Sequence, residues 1–372
     1  MTSDRRKLDD SVRLMRERGL GGLLVYSDGS CNILRASHLR YFAQFAPLGP
    51  HACALVSNDG RPALVVQPGW DAARARRHSW IRDVRGTDDV VEALTELMRE
   101  LGMRGSVGLA GGSVMPFPLR AAIERVASLQ AADDLIERIA MEKSPEEISL
   151  VRKVAAAADA GFDAFRSASR VGVSEYEIVA EVEYAMRRAG ADDNFILLSS
   201  GPHNRAMRAP TDRQVALGDI VIGEITPVCD GQFVQICRTV SVGAPGDALV
   251  AGYQLLAGAC DAALARVRAS APASTIAATI DAVLANAGYA DYCRPPYMRT
   301  RGHGFGVGSV SPGALIDADT HAKLQEGQAI VVHPNQYLPD TGYLACGETV
   351  IVTADGFERL SRSENRLYVN ET

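Results

Sequence analysis

The run Met141-Glu142-Lys143-Ser144-Pro145-Glu146-Glu147 does most to limit what this chain can fold into. Ser144 can cap a helix, Pro145 suits a first helical turn, and Glu147 completes a capping box. A long helix is therefore expected over 145–167, where apolar residues recur at helical spacing. Upstream of it, helix and strand alternate. A helix at 5–18 precedes the apolar run GGLLVY at 21–26. ACALVS (52–57) and PALVVQ (62–67) flank Asn58-Asp59-Gly60, whose Asp-Gly pair signals a hairpin turn. A helix over 87–102 and a strand at 106–111 complete an α/β domain with its own core. Downstream, helices are expected at 174–189, 246–268 and 274–287, and strands at 195–199, 220–225, 232–240, 329–333 and 349–353. That succession describes an α+β domain, a curved antiparallel sheet backed by helices. The two domains are accordingly expected at 1–138 and 139–372.

Composition removes several function classes. A chain of 372 residues can hold two domains and bury a sizeable core. Its 47% hydrophobic content marks a globular protein. A net charge of −6 argues against a nucleic acid or an anionic membrane surface as partner. No apolar run approaches the length of a membrane span. The opening MTSDRRKLDDSVRLMRERG has charges but no apolar stretch after them, so it reads as an amphipathic helix and not a signal peptide. The cysteines, Cys31, Cys53, Cys229, Cys237, Cys260, Cys293 and Cys346, are scattered and odd in number, with no CxxC pair. Free thiols and a cytoplasmic location are the expectation.

The residues suited to chemistry lie between Gly218 and Gly347. In GDIVIGEITPVCDGQFVQICRT a Gly-Asp turn leads into an apolar strand ending on Glu224, and Gln235 follows eleven residues later. A hairpin of that length can bring both side chains to one end of a sheet. Glycines on both sides of His303, in Gly302-His303-Gly304-Phe305-Gly306, let the backbone pass close to a ligand. In EGQAIVVHP a turn and a strand end on His333, stopped by Pro334. Tyr343 to Val350 reads as one further strand, carrying Glu348.

That order of motifs resembles the creatinase, prolidase, aminopeptidase P and methionine aminopeptidase superfamily, the pita-bread (M24) fold. The resemblance covers most of the chain and is most specific after Lys143. Metallopeptidases of this superfamily bind two metals with two Asp, one His and two Glu. On that pattern Glu224 falls at the first Asp position, Gln235 at the second, and His303 at the ligand histidine. His333 takes the first Glu position and Gly347 the second, with Glu348 beside it. The proton-handling histidine before the Gly-Asp turn is replaced by Met207, with His203 and Arg208 the nearest substitutes. The second active-site histidine position is Val310.

The matching set offers at most two carboxylates against the four positive charges of two divalent ions, so a dinuclear centre is not expected. The resemblance to creatinase, the metal-free member, then implies a hydrolase or lyase acting on a C–N bond of a small amino-acid-like metabolite, without a cofactor. Its expected catalytic residues are His303, Glu224, His333 and Glu348, and its substrate-binding residues Gln235, His203, Arg208, Arg301 and Arg238. An imidazole that titrates near neutrality would shuttle the proton. One alternative is an Xaa-Pro aminopeptidase or dipeptidase with a single divalent metal on His303, His333 and Glu224. Another is a catalytically silent binding protein. The resemblance also implies a homodimer, with the segment Arg35 to Phe45 reaching across to the partner.

Overall fold

The computed structural model describes residues 3–30, 36–308, 313 and 315–371, so Cys31 and Val310 lie outside the described residues. The chain divides into two compact units. The first runs to Glu147 and includes Val307; the second begins at Ile148. The break falls later than the expected 138/139. The capping box explains why: Ser144 N donates to Glu147 Oε2 at 2.9 Å and Glu147 N to Ser144 Oγ at 3.2 Å. The same carboxylate takes Arg6 at 2.9 Å and Lys7 at 3.4 Å from the first helix, which ties this turn to the first unit.

In the first unit, β1 (Gly22–Ser27), β2 (His51–Ser57), β3 (Pro62–Gln67), β4 (Val84–Gly86), β5 (Ser106–Ala110) and β6 (Ser128–Ala131) form a mixed sheet in the order β4-β3-β2-β1-β5-β6. Helices α1 (Ser3–Glu17), α2 (His38–Ala43), α3 (Ala72–His78), α4 (Val90–Glu100), α5 (Phe117–Ile123) and α6 (Asp133–Met141) surround it. Alternate residues face opposite ways along each strand. Leu23, Val25, Ala54, Val56, Leu64 and Val66 join one core cluster. Leu24, Tyr26, Cys53, Leu55 and Val65 join another on the far face. A sheet covered on both faces needs continuous apolar strands, which accounts for GGLLVY and ACALVS. The predicted hairpin is present, with Val56 opposite Pro62. Tyr41, Phe42 and Phe45 of the 35–45 segment are buried in this unit's own core, while Ala36, Ser37, Arg40 and Gln44 are half-buried.

In the second unit, α7 (Pro145–Ala168) and α8 (Glu175–Arg188) lead into β7 (Asp193–Gly201), β8 (Ile220–Cys229), β9 (Gln232–Phe233) and β10 (Ile236–Val242). Helices α9 (Asp247–Leu264) and α10 (Ser274–Leu284) follow. They precede β11 (Gly302–Gly304), β12 (Ala329–Val332), β13 (Gln336–Leu338), β14 (Gly342–Leu344), β15 (Glu348–Val352), β16 (Phe357–Arg359) and β17 (Tyr368–Asn370). The expected curved sheet is built as two sheets, β17-β10-β8-β7 and β11-β12-β15-β16. Phe162, Phe165, Ile178, Val182 and Met186 cover one face of the first, against Val221, Ile225, Val240 and Val242. Leu256, Cys260, Ile276 and Ile280 cover one face of the second, against Ile330, Val332, Val350 and Val352. Gly223 is required for this packing, since a Cβ there would come within 2.8 Å of the Phe165 ring. The Tyr343–Val350 run is two strands in different sheets, β14 and β15, because Ala345 leaves its strand to exchange bonds with Thr239 Oγ1 at 2.9 and 3.0 Å. No disulfide forms among the described cysteines, and no described helix is long and apolar enough to cross a membrane.

Helix α8 opens with a complete capping box between Ser174 and Glu177. Ser174→Ala is expected to cost about 1 kcal/mol. Amide exchange in the first turn of α8 should quicken accordingly; unchanged exchange at Ile178 would contradict the assignment.

Candidate active site

The inner surface of the second unit is set by strand register. Asp230 and Gly231 both have positive φ, 47° and 77°, and make a two-residue turn that pairs Cys229 with Gln232. Such a turn fixes the register beyond it. It places Glu224 directly opposite Cys237 on β10 and opposite Leu197 on β7. Gln235 leaves the ladder: its N–H donates to Thr349 Oγ1 at 3.0 Å, and that hydroxyl donates back to Gln235 O at 2.7 Å. Cys237 in turn bridges to Gly347 through backbone bonds of 3.1 and 3.4 Å. A Cβ on Gly347 would lie 2.7 Å from His333 Cβ and 3.2 Å from Cys237 Cβ. Glu224, Cys237, Gly347 and His333 therefore share one face. The His333 ring stands 5.3 Å from that of His303, and Phe305 packs edge-on to His303 at 5.0 Å.

Burial sets the electrostatics here. Burial pushes the Glu224 carboxyl up to about 7, with Arg299 pulling weakly the other way. Glu224 makes no hydrogen bond or ion pair among the described residues, yet it is only half-buried and keeps contact with solvent. His303 is pushed down to about 3, first by burial and then by His333, against a weak bond to Gly304 O at 3.4 Å. His333 falls to about 4, again through burial, with the Arg301 charge adding to it. Its Nδ1 is buried, with no hydrogen-bond partner among the described residues. Both imidazoles are thus neutral at pH 7, beside a carboxyl that titrates there. Burial and the nearby Glu224 also raise the Tyr343 hydroxyl, which stays protonated. Cys237 Sγ receives the side-chain amides of Gln235 and Asn335, each at 3.6 Å.

Several expected site residues are engaged elsewhere. Arg238 and Glu348 lie behind the sheets, on faces turned to the helices. Arg238 Nη2 donates to Glu348 Oε1 at 2.8 Å, and both side chains are fully buried. Arg238 also donates to Cys237 O, Gly347 O and Ser363 O at 3.0, 2.6 and 2.8 Å. Arg238 Nε and Glu348 Oε2 have no hydrogen-bond partner among the described residues, but both side chains lie on the helix-covered faces and pair with each other, which is a structural role. Arg301 is likewise buried, bonded to Asp281 at 2.6–2.8 Å and to Gln336 Oε1 at 3.1 Å. Arg208 is exposed and pairs with Glu175 at 3.3 Å. His203 is exposed; its Nε2–H donates to Pro339 O at 2.9 Å and its ring stands edge-on to Tyr337. Met207 is buried in the apolar cluster with Ile220, Ile222 and Cys237.

The same geometry tests whether these residues suit the superfamily's metals. Gln235 is neutral and directs its NH₂ at Cys237. Gly347 has no side chain, and Glu348 is held on the far face. Among the described residues Glu224 alone brings an anion to the shared face, so two divalent ions would lack their balancing charge. Among the described residues no three His, Cys, Asp or Glu gather as a metal site, and this includes the trio of His303, His333 and Glu224 expected for a single ion. The residues present do not fit the metal centre.

Glu224 interacts through its charge with Arg299, Cys237 and Tyr343, and Asn335 reaches Cys237. The signal for Cys237 was in the sequence: counting outward from the Asp230-Gly231 turn pairs residue 224 with 237, not with 235.

The sequence pattern of metallopeptidase family M24 matches residues 149–354. The Xaa-Pro dipeptidase of Pyrococcus furiosus is 24% identical over 97% of this chain and 99% of its own length. Among solved structures, an Xaa-Pro dipeptidase from Bacillus anthracis superposes with a TM-score of 0.84 at 23% identity, covering 99% of this chain and 100% of that one. An X-Pro aminopeptidase from Thermotoga maritima gives 0.83 at 21%, covering 98% and 99%. At those identities the structural matches speak for the fold.

Two outcomes follow from the charges. Removing one partner of the buried pair, by Arg238→Met or Glu348→Ala, should cost about 3–5 kcal/mol, while replacing both with apolar residues should cost much less. Equilibrium denaturation of the three variants checks this, and three equal losses would refute it. Glu224 has a folded pKa above its ordinary 4.5, so its contribution to stability is full below pH 4.5 and is lost as pH rises through about 7. The difference in stability between wild type and Glu224→Gln should therefore change across pH 4.5–7. A carboxyl signal from Glu224 that titrates near 4.5 would overturn the assignment.

Proposed function

Because this chain belongs to metallopeptidase family M24, we propose that its second unit hydrolyses an amide bond in a small peptide-like substrate, with Glu224 handling the protons. The dipeptidase and aminopeptidase relatives support a peptide amide over the creatinase-like C–N substrate that the motifs first suggested. The observation that carries the reading is the state of Glu224: partnerless, in reach of solvent, and shifted by burial to about 7. A carboxyl poised at the working pH can take a proton in one step and return it in the next. As carboxylate, Glu224 removes a proton from the water that attacks the amide carbon. As carboxylic acid, it gives that proton to the departing amine. Tyr343 keeps its hydroxyl proton and supplies a donor toward the charge that builds on the carbonyl oxygen. His303 and His333, neutral at pH 7, orient the substrate by hydrogen bonding and bring no charge of their own. No step runs through a metal, since the donor set does not suit one.

The test is hydrolysis of a panel of Xaa-Pro and other dipeptides. Glu224→Gln should lower turnover about 10²–10⁴-fold, and the wild-type pH profile should carry a limb near pH 7 that the variant lacks. Full activity in Glu224→Gln would remove this residue from the chemistry. Dialysis against a chelator should leave wild-type turnover unchanged. Loss on dialysis, restored by a divalent ion, would overturn the metal-independent assignment.

A further inference from the structure

A group of tyrosines in the second unit takes no part in the chemistry above. The rings of Tyr292 and Tyr297 meet edge-on at 4.8 Å. Tyr337 lies 5.6 Å from Tyr297 and 6.1 Å from Tyr292, and Tyr289 stands 6.4 Å from Tyr292. His203 closes one end of the row, 5.6 Å from Tyr337. All four tyrosines are half-buried, and their hydroxyls bond to nothing among the described residues. Spacings this short fill the interior of the cluster, so it presents a wall and not an empty cage.

The wall shares a chain segment with the residues that face Glu224. His333 packs against Gly347, and Asn335 reaches Cys237, the residue opposite Glu224. Tyr337 follows in β13, on the face it shares with its cross-strand partner Tyr343, whose hydroxyl the Glu224 charge reaches. The backbone fixes the rings: Tyr337 N donates to Tyr297 O at 3.0 Å, and Gln336 Nε2 donates to Tyr292 O at 2.8 Å. Rigid, half-exposed aromatic faces bind another ring at little entropic cost. Electron-rich rings also attract cations. Arg299, exposed, in no ion pair among the described residues and two residues from Tyr297, disfavours that occupant.

We infer that the tyrosine wall of Tyr292, Tyr297 and Tyr337 is a specificity element that receives an aromatic side chain of the substrate. The inference rests on the peptide reading of the Glu224 pocket. Its test is calorimetric binding of Ala-Ala, Ala-Phe and Phe-Ala to the full chain carrying Glu224→Gln, which prevents turnover. One of the Phe dipeptides should bind about ten-fold more tightly than Ala-Ala. Adding Tyr337→Ala should abolish that preference while leaving Ala-Ala binding unchanged, and Tyr337→Phe should preserve it. Should Tyr337→Ala fail to fold, Tyr292→Ala removes part of the same face and should show the same loss. Equal affinity for all three dipeptides would overturn the wall and leave the pocket reading standing, as would a preference that survives both alanine variants. Failure of every dipeptide to bind would sink the pocket reading itself, and this inference with it.

Discussion

Two backbones in the second unit approach more closely than any side chain between them would allow. Cys237 and Gly347 bridge β10 to the start of β15, and a Cβ on Gly347 would collide with His333. That contact joins the two sheets and turns Glu224, Cys237 and His333 toward one another. Thr349 reinforces the seam by bonding both backbone groups of Gln235. Behind it, Arg238 donates to the carbonyls of Cys237 and Gly347 together. A guanidinium in that position adds a second, charge-assisted hydrogen bond to carbonyls already paired with each other's N–H across the bridge. Glu348 then balances the charge Arg238 brings inside. The ion pair belongs to the seam, and this is why it does not belong to the pocket.

Closing the seam excludes water from one side of the site, and the titrating groups respond according to their charge. Burial disfavours the ionised form of each, so it moves the carboxyl of Glu224 up and the imidazoles of His303 and His333 down. One environment thereby produces a carboxyl that exchanges protons near neutrality and two imidazoles that do not. In the function proposed here, the proton-handling role expected of a histidine passes to the glutamate. With one free carboxylate on this face, the site is suited to moving a proton and not to balancing the charge of metal ions.

Much of this protein was legible in its amino-acid order. The apolar strands of the first unit, the capping box at Ser144 and the helices of the second unit follow from period, turn chemistry and caps, which are local properties. The family followed from the order of Gly218-Asp219, Gly302-His303-Gly304 and Gly347-Glu348 along the chain. The pairing of Glu224 with Cys237 was also available, since a two-residue turn fixes register by counting. What neighbours in sequence do not determine is which face a residue takes when strands from distant segments meet. Glu348 and Gly347 are adjacent, yet one lies in a buried ion pair and the other at the pocket. Arg301 and His303 are two residues apart, yet Asp281 and Gln336 claim the arginine. The sequence by itself determined the elements, the family and the set of polar residues available. The tertiary structure decided which of them carry charge freely, because desolvation and pairing depend on contacts between segments more than a hundred residues apart, as between Arg238 and Glu348.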